Sequence, residues 1–253
     1  MNDYEKQSTF FRGTFDGGGH TISNLTFEMD SFIVGAGLFG VNSGTIKNLN
    51  VADSLVHVTH VAEPEKKLTA IGGVIGYNMG TVENVALTGS SSILGNNCVG
   101  GVIGGNEYGA VSGCRTEGAV VELIGDNSFP DRIIQCDIAM VGGLIIGDGF
   151  GGTIDGCSVK IDIDAKDATH VGGLVGTGLY YYGQETAFKI TNCSVSGTID
   201  GAVTPGTILG RSNADSSYDE ATRANVKVLI DGKASGAEVG TTDRMYESAD
   251  QDE

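Results

Sequence analysis

Two carboxylates on one strand are the sharpest chemical feature of the chain. Asp162 and Asp164 alternate with Ile161 and Ile163, so in an extended strand both acids project from one face. Paired carboxylates suit acid–base cleavage of a glycosidic bond, which makes these two the catalytic candidates. Lys160 and Lys166 flank them, however, and alternating charges on an outer strand face also describe an ordinary solvated surface. Other reactive groupings are absent. His57 and His60 stand three apart, which in a strand sends them to opposite faces, and no HExxH is present for zinc hydrolysis. Neither a GxSxG elbow nor a GxxxxGK[ST] loop occurs. The stretch from Gly147 to Asp155 has the outline of a calcium-binding nonapeptide, with Asp148 and Asp155 as its candidate ligands. It is a single imperfect copy, whereas such ions are shared between tandem turns. No cofactor is implied. Tyr180, Tyr181 and Tyr182 form an aromatic insertion that a loop would turn outward, where rings can stack on a sugar or anchor a protein.

The elements that must position these residues are short and repeated. AGLFGVNSGTIKNLNV from Ala36, GGVIGYNMGTVENVAL from Gly72, GGVIGGNEYGAVSGCRT from Gly100, GGLIIGDGFGGTIDGCSV from Gly142 and GGLVGTGLYYYGQETAFKITNCSV from Gly172 are versions of one unit. GTILGRSN from Gly206 is a degraded copy, and FRGTFDGGGHTISNLTF from Phe11 keeps the second half only. The apolar anchors Leu38, Val74, Val102, Leu144, Leu174 and Ile208 lie 28 to 42 residues apart. Within a unit, apolar and polar residues alternate, as in Thr81 to Leu87, and no stretch of helical period is evident.

Strands this short cannot bury an apolar face alone, but stacked units can. The expectation is an all-β, right-handed parallel β-helix of about seven irregular rungs, with a β-propeller as the alternative. Residues 1–231 would form the repeat domain and 232–253 an acidic tail. Asn24, Asn48, Asn84 and Asn192, with Asn225 as a further candidate and Gly113 and Gly156 standing in, should mark a left-handed bend or a ladder of amides. In the next column Cys114, Cys157 and Cys193 should stack on inner positions as buried thiols. The repeated glycines on either side of each anchor are expected at tight turns.

Composition narrows the partners. A formal charge of −17, from 32 acidic and 15 basic residues, opposes nucleic acid and anionic lipid. No apolar run approaches a membrane span, and no signal peptide is visible at Met1.

GLFGVNSGTIKNL, GGVIGYNMGTVENV and GGLVG…KITNCSV resemble the GLUG motif, and the segment from Phe11 is similar to the stretch that precedes its first copy. The resemblance covers roughly Phe11 to Asp231. It implies a bacterial, secreted or surface-displayed scaffold of adhesin-like type, a motif found also in the accessory region of IgA-cleaving metallopeptidases. Implied with it are further domains of a larger chain, binding to a host protein or glycan, and no catalysis. A carbohydrate-active hydrolase or lyase on the same scaffold is the competing expectation.

Overall fold

The computed structural model describes residues 10–31, 33–59, 69–95, 98–123, 140–142, 145–149, 151–165, 170–178, 187–203, 205–212, 216–234 and 237–241. It is all-β, with one five-residue helix, α1 (Glu220–Ala224), among the described residues. The strands fall into three sheets of eight, sixteen and five strands. The chain visits them in a fixed order. Ala70–Gly72 lies in the five-stranded sheet, Ile75–Asn78 in the eight-stranded one, and Thr81–Thr88 with Ser92–Gly95 in the largest. Cys98–Gly100 then returns to the first of these, beside Ala70–Gly72. Each strand is thus hydrogen-bonded to the matching strand of the next unit. Every named pairing is parallel except that of Val226–Ile230 with Lys233–Ala234. Propeller blades are antiparallel sheets, so the pairing goes against that alternative.

In-register pairing turns the sequence repeat into columns. One runs Phe15, Ile46, Val82, Val111, Ile154, Ile190 and Tyr218. Another runs Phe27, Val56, Ile93, Val121, Ile163, Ile199 and Ile230. Their middle members are buried and form the core. A fully buried aliphatic side chain of this size contributes about 1.5–3 kcal/mol, which is why alternation alone selects the inner face.

The expected bend is present. Asn24, Asn48, Asn84 and Asn192 have φ of 59, 53, 51 and 54°, and Gly113 and Gly156 have 60 and 61°. The amide ladder is there too, in part: Asn84 Nδ2 donates to Asn48 Oδ1 at 3.3 Å, and Asn48 Nδ2 to Asp16 Oδ1 at 3.0 Å. Asn225 departs from the column. Its φ is −106° and it caps α1, its Nδ2 donating to the Ala221 carbonyl. Left-handed backbone costs a side chain with a Cβ roughly 1 kcal/mol and glycine nothing. Asn84→Gly should therefore be nearly neutral and Asn84→Val clearly destabilising in urea titrations, and equal midpoints would reject that account.

Cys114, Cys157 and Cys193 are buried at successive positions, as the repeat requires. The neighbouring thiol and burial push Cys157 and Cys193 well above the ordinary thiol range, so both stay protonated and unreactive.

The repeated glycines differ from expectation in their reason. Those flanking the anchors, such as Gly72, Gly73, Gly76 and Gly104, carry no left-handed backbone; a Cβ on any of them would strike the backbone of a neighbouring strand. They let the five- and eight-stranded sheets approach closely. Ordered sheet also passes residue 231, because Val239–Thr241 pairs with Leu209–Arg211.

Candidate functional site

Beneath the corner where the eight-stranded sheet hands over to the largest sheet lies a row of amides. Asn42, Asn78 and Asn106 are wholly buried. Asn42 Nδ2 donates to Asn78 Oδ1 at 2.8 Å, and Asn78 Nδ2 to Asn106 Oδ1 at 2.7 Å. Each also ties down its own turn: Asn42 Oδ1 accepts from Gly44 N at 3.0 Å and Asn78 Oδ1 from Gly80 N at 3.2 Å. The sequence signal is an Asn two residues before a Gly, the turn-forming use of an Asn side chain.

The third turn is one residue longer, Asn106-Glu107-Tyr108-Gly109, and the extra residue has consequences. Tyr108 is held at φ 53° and is 55% exposed. A bulky side chain on left-handed backbone costs energy that the surrounding structure must offset, and such residues cluster at binding sites. In the preceding unit the same turn presents Met79, 42% exposed. Next to it, the Tyr77 ring lies across Gly105, where a Cβ would come within 2.7 Å of it, and its hydroxyl donates to Glu107 Oε2 at 3.2 Å. The corner therefore offers an exposed ring, a thioether and a hydroxyl–carboxylate pair on a backbone fixed by buried amides. Apolar faces beside a few oriented polar groups are what sugar rings and protein side chains both dock on. Tyr180, Tyr181 and Tyr182 lie outside the described residues; in sequence they fall in the corresponding connection, between Val175–Gly178 and Phe188–Thr191.

The carboxylate candidates sit elsewhere, on the outer face of the largest sheet. Both Asp162 and Asp164 are exposed. Thr198 Oγ1 donates to Asp162 Oδ1 at 2.9 Å, and Lys160 lies 3.7 Å from Glu117. Asp164 pairs in register with Glu122 on one side and Asp200 on the other, so three acids stand in a row. Glu83 and Ser112, which share their unit position with Asp155, belong to a different row. Spacing across units of unequal length concealed the true neighbours.

Asp148 and Asp155 lie in different sheets. The Asp155 carboxylate accepts from Thr191 Oγ1 at 2.6 Å and Asn192 Nδ2 at 2.8 Å, and these donors hold it below the ordinary carboxylate range. Its contribution to stability is present at neutral pH and is lost as pH falls through that lowered value. Among the described residues no three His, Cys, Asp or Glu side chains gather as a metal site. His57 Nε2 is 3.1 Å from Ser92 Oγ, and His170, buried, has Nε2 3.1 Å from Arg211 Nη1. His60 lies outside the described residues. No described helix is long and apolar enough to cross a membrane.

Comparison with known proteins bears on the repeat and on the fold. The GLUG motif matches residues 167–200. Halomucin of Haloquadratum walsbyi is 36% identical over 96 residues, which is 37% of this chain and 1% of that protein. The chain thus covers a hundredth of that relative's length. A crystal structure from Bacteroides ovatus, provisionally named an immunoglobulin A1 protease, superposes with a TM-score of 0.56 at 20% identity, covering 90% of this chain and 66% of the other. At that identity the likeness speaks for the fold alone. The chain thus carries a GLUG motif at residues 167–200, within a unit whose variants recur along the sequence.

Proposed function

We propose that the chain is a right-handed parallel β-helix of about seven rungs, part of a larger bacterial secreted or cell-surface protein, and that it works by display and not by catalysis. Unit-to-unit parallel pairing through all three sheets supports the coil. The motif and the halomucin relative support a surface-associated repeat protein within a longer chain. One observation carries the display reading: Tyr108 is exposed on left-handed backbone, at a corner anchored by buried amides. The corner binds a protein or a glycan through Tyr108, Met79 and the Tyr77–Glu107 pair.

The expected result on glycan and host-protein arrays is specific binding that falls at least tenfold in Tyr108→Ala and is unchanged in Asp164→Asn. Binding that ignores Tyr108 would reject the site. A second reading, a glycoside hydrolase or polysaccharide lyase, is favoured by the row Glu122, Asp164 and Asp200. The same Asp164→Asn variant separates the two, since polysaccharide cleavage that disappears with it would put catalysis in place of display.

A further inference from the structure

The corner that carries Tyr108 offers hydrogen-bond acceptors, while the donors that build it are already engaged. Both Nδ2 hydrogens of Asn42, Asn78 and Asn106 go to the next amide or to nearby backbone carbonyls. The turn N–H groups of Met79 and Glu107 donate to the carbonyls of Asn42 and Asn78 at 2.7 and 2.8 Å, and the Tyr77 hydroxyl donates to Glu107 Oε2. Facing outward are the Glu107 carboxylate, half-buried, and the exposed Met79 thioether and Tyr108 ring. A sugar hydroxyl both donates and accepts. A guanidinium only donates, and it also lies favourably on an aromatic face, so its chemistry matches this corner more closely.

The chain itself shows what a tyrosine–glutamate pair of this kind receives. Near the C-terminal end the Tyr218 hydroxyl donates to Glu238 Oε2 at 2.8 Å, and Arg223 Nε stands 3.0 Å from Glu238 Oε1. The guanidinium carbon of Arg223 lies 5.4 Å from the centre of the Tyr218 ring, so one arginine meets both the carboxylate and the aromatic face. Tyr77 and Glu107 repeat the first two members of that triad, the hydroxyl 3.2 Å from the carboxylate, and in both pairs the two residues are half-buried. Among the described residues no cation pairs with Glu107, whereas Asp16, Glu117, Glu220 and Glu238 each have one.

We infer that the corner receives an arginine side chain from a basic protein segment, completing at Tyr77 and Glu107 the triad that Arg223 completes at Tyr218 and Glu238. The guanidinium pairs with the Glu107 carboxylate, and its stem and flat face lie against Met79 and Tyr108. Such a ligand rests on the display reading proposed for this corner and narrows the partner from a protein or a glycan to a basic protein. A chain of charge −17 draws that partner in, and added salt weakens the contact.

Fluorescence anisotropy with two labelled peptides tests this, one of Gly-Arg repeats and one with citrulline, the uncharged isostere, in place of each arginine. The arginine peptide is expected to bind at least about tenfold more tightly than its citrulline counterpart. That preference should disappear in Glu107→Gln, a near-isosteric change with an unchanged circular dichroism spectrum, and survive in Asp164→Asn, which removes a carboxylate on the largest sheet. Equal binding of the two peptides, or a preference that persists in Glu107→Gln or is lost in Asp164→Asn, would overturn the inference. A glycan or neutral protein held through Tyr108 with no preference for arginine would overturn it too and leave the display reading standing. Binding that ignores Tyr108 is the separate result that removes both.

Discussion

Replacing Asn78 by Ala is expected to lower the unfolding free energy by about 4 kcal/mol, although the side chain lies far from any catalytic candidate. Asn78 is the middle of the buried amide row. Its loss removes the acceptor of Asn42 Nδ2, the donor to Asn106 Oδ1 and the acceptor of Gly80 N in one step. Each buried polar group left without a partner costs about 1–3 kcal/mol, reduced where water enters the gap. For a chain of this length the thermal midpoint should fall by roughly 8–16 °C. Asn50→Ala provides the comparison, because Asn50 is half-buried and bridges the hydroxyls of Thr21 and Thr88 at 3.2 and 3.0 Å, near water. Its cost should stay within about 1 kcal/mol. Equal losses in the two variants, read from urea midpoints at constant slope, would show that the row is not a special source of stability. The Tyr108 corner should loosen with Asn78→Ala as well, since Asn106 closes the turn that carries Tyr108 by donating to the Gly109 carbonyl.

Gly104→Ala is expected to be worse still, costing more than about 3 kcal/mol and giving mostly insoluble protein. A Cβ there would stand 2.6 Å from the carbonyl carbons of Ala70 and Ile71. Those atoms are backbone in a strand paired on both sides, so they cannot yield without breaking the ladder. The usual gain of about 0.4–1 kcal/mol from a stiffer unfolded chain is overwhelmed. Gly156→Ala is the informative contrast. Gly156 has φ 61° and nothing within 4 Å of its virtual Cβ, so its cost is conformational only and about 1 kcal/mol. Soluble expression and melting of the two variants, side by side, distinguish glycine used for close approach from glycine used for a turn. Similar values would remove that distinction.

This contrast shows where sequence reading reached its limit. Glycine on either side of each anchor was visible as a repeat, but its purpose was not. Whether a glycine turns the chain or admits a neighbour depends on what lies across from it, and that neighbour belongs to another unit.

Local features fared better. The alternation within Thr81 to Leu87 determined which residues face inward, Val82 before the bend at Asn84 and Val85 and Leu87 after it, the left-handed residue shifting the period of two by one. The Asn and Gly bend was legible, since only those residues accept left-handed backbone cheaply, and the stacked Cys114, Cys157 and Cys193 follow from the bend one residue earlier. The amino-acid sequence by itself therefore determined the strand period, the repeat, the bends and the thiol column. Only the tertiary structure decided that Asp164 stands between Glu122 and Asp200, that three asparagines share a buried row, and that Tyr108 is forced outward. Units of unequal length leave the register between them open, and parallel pairing is the physical event that closes it.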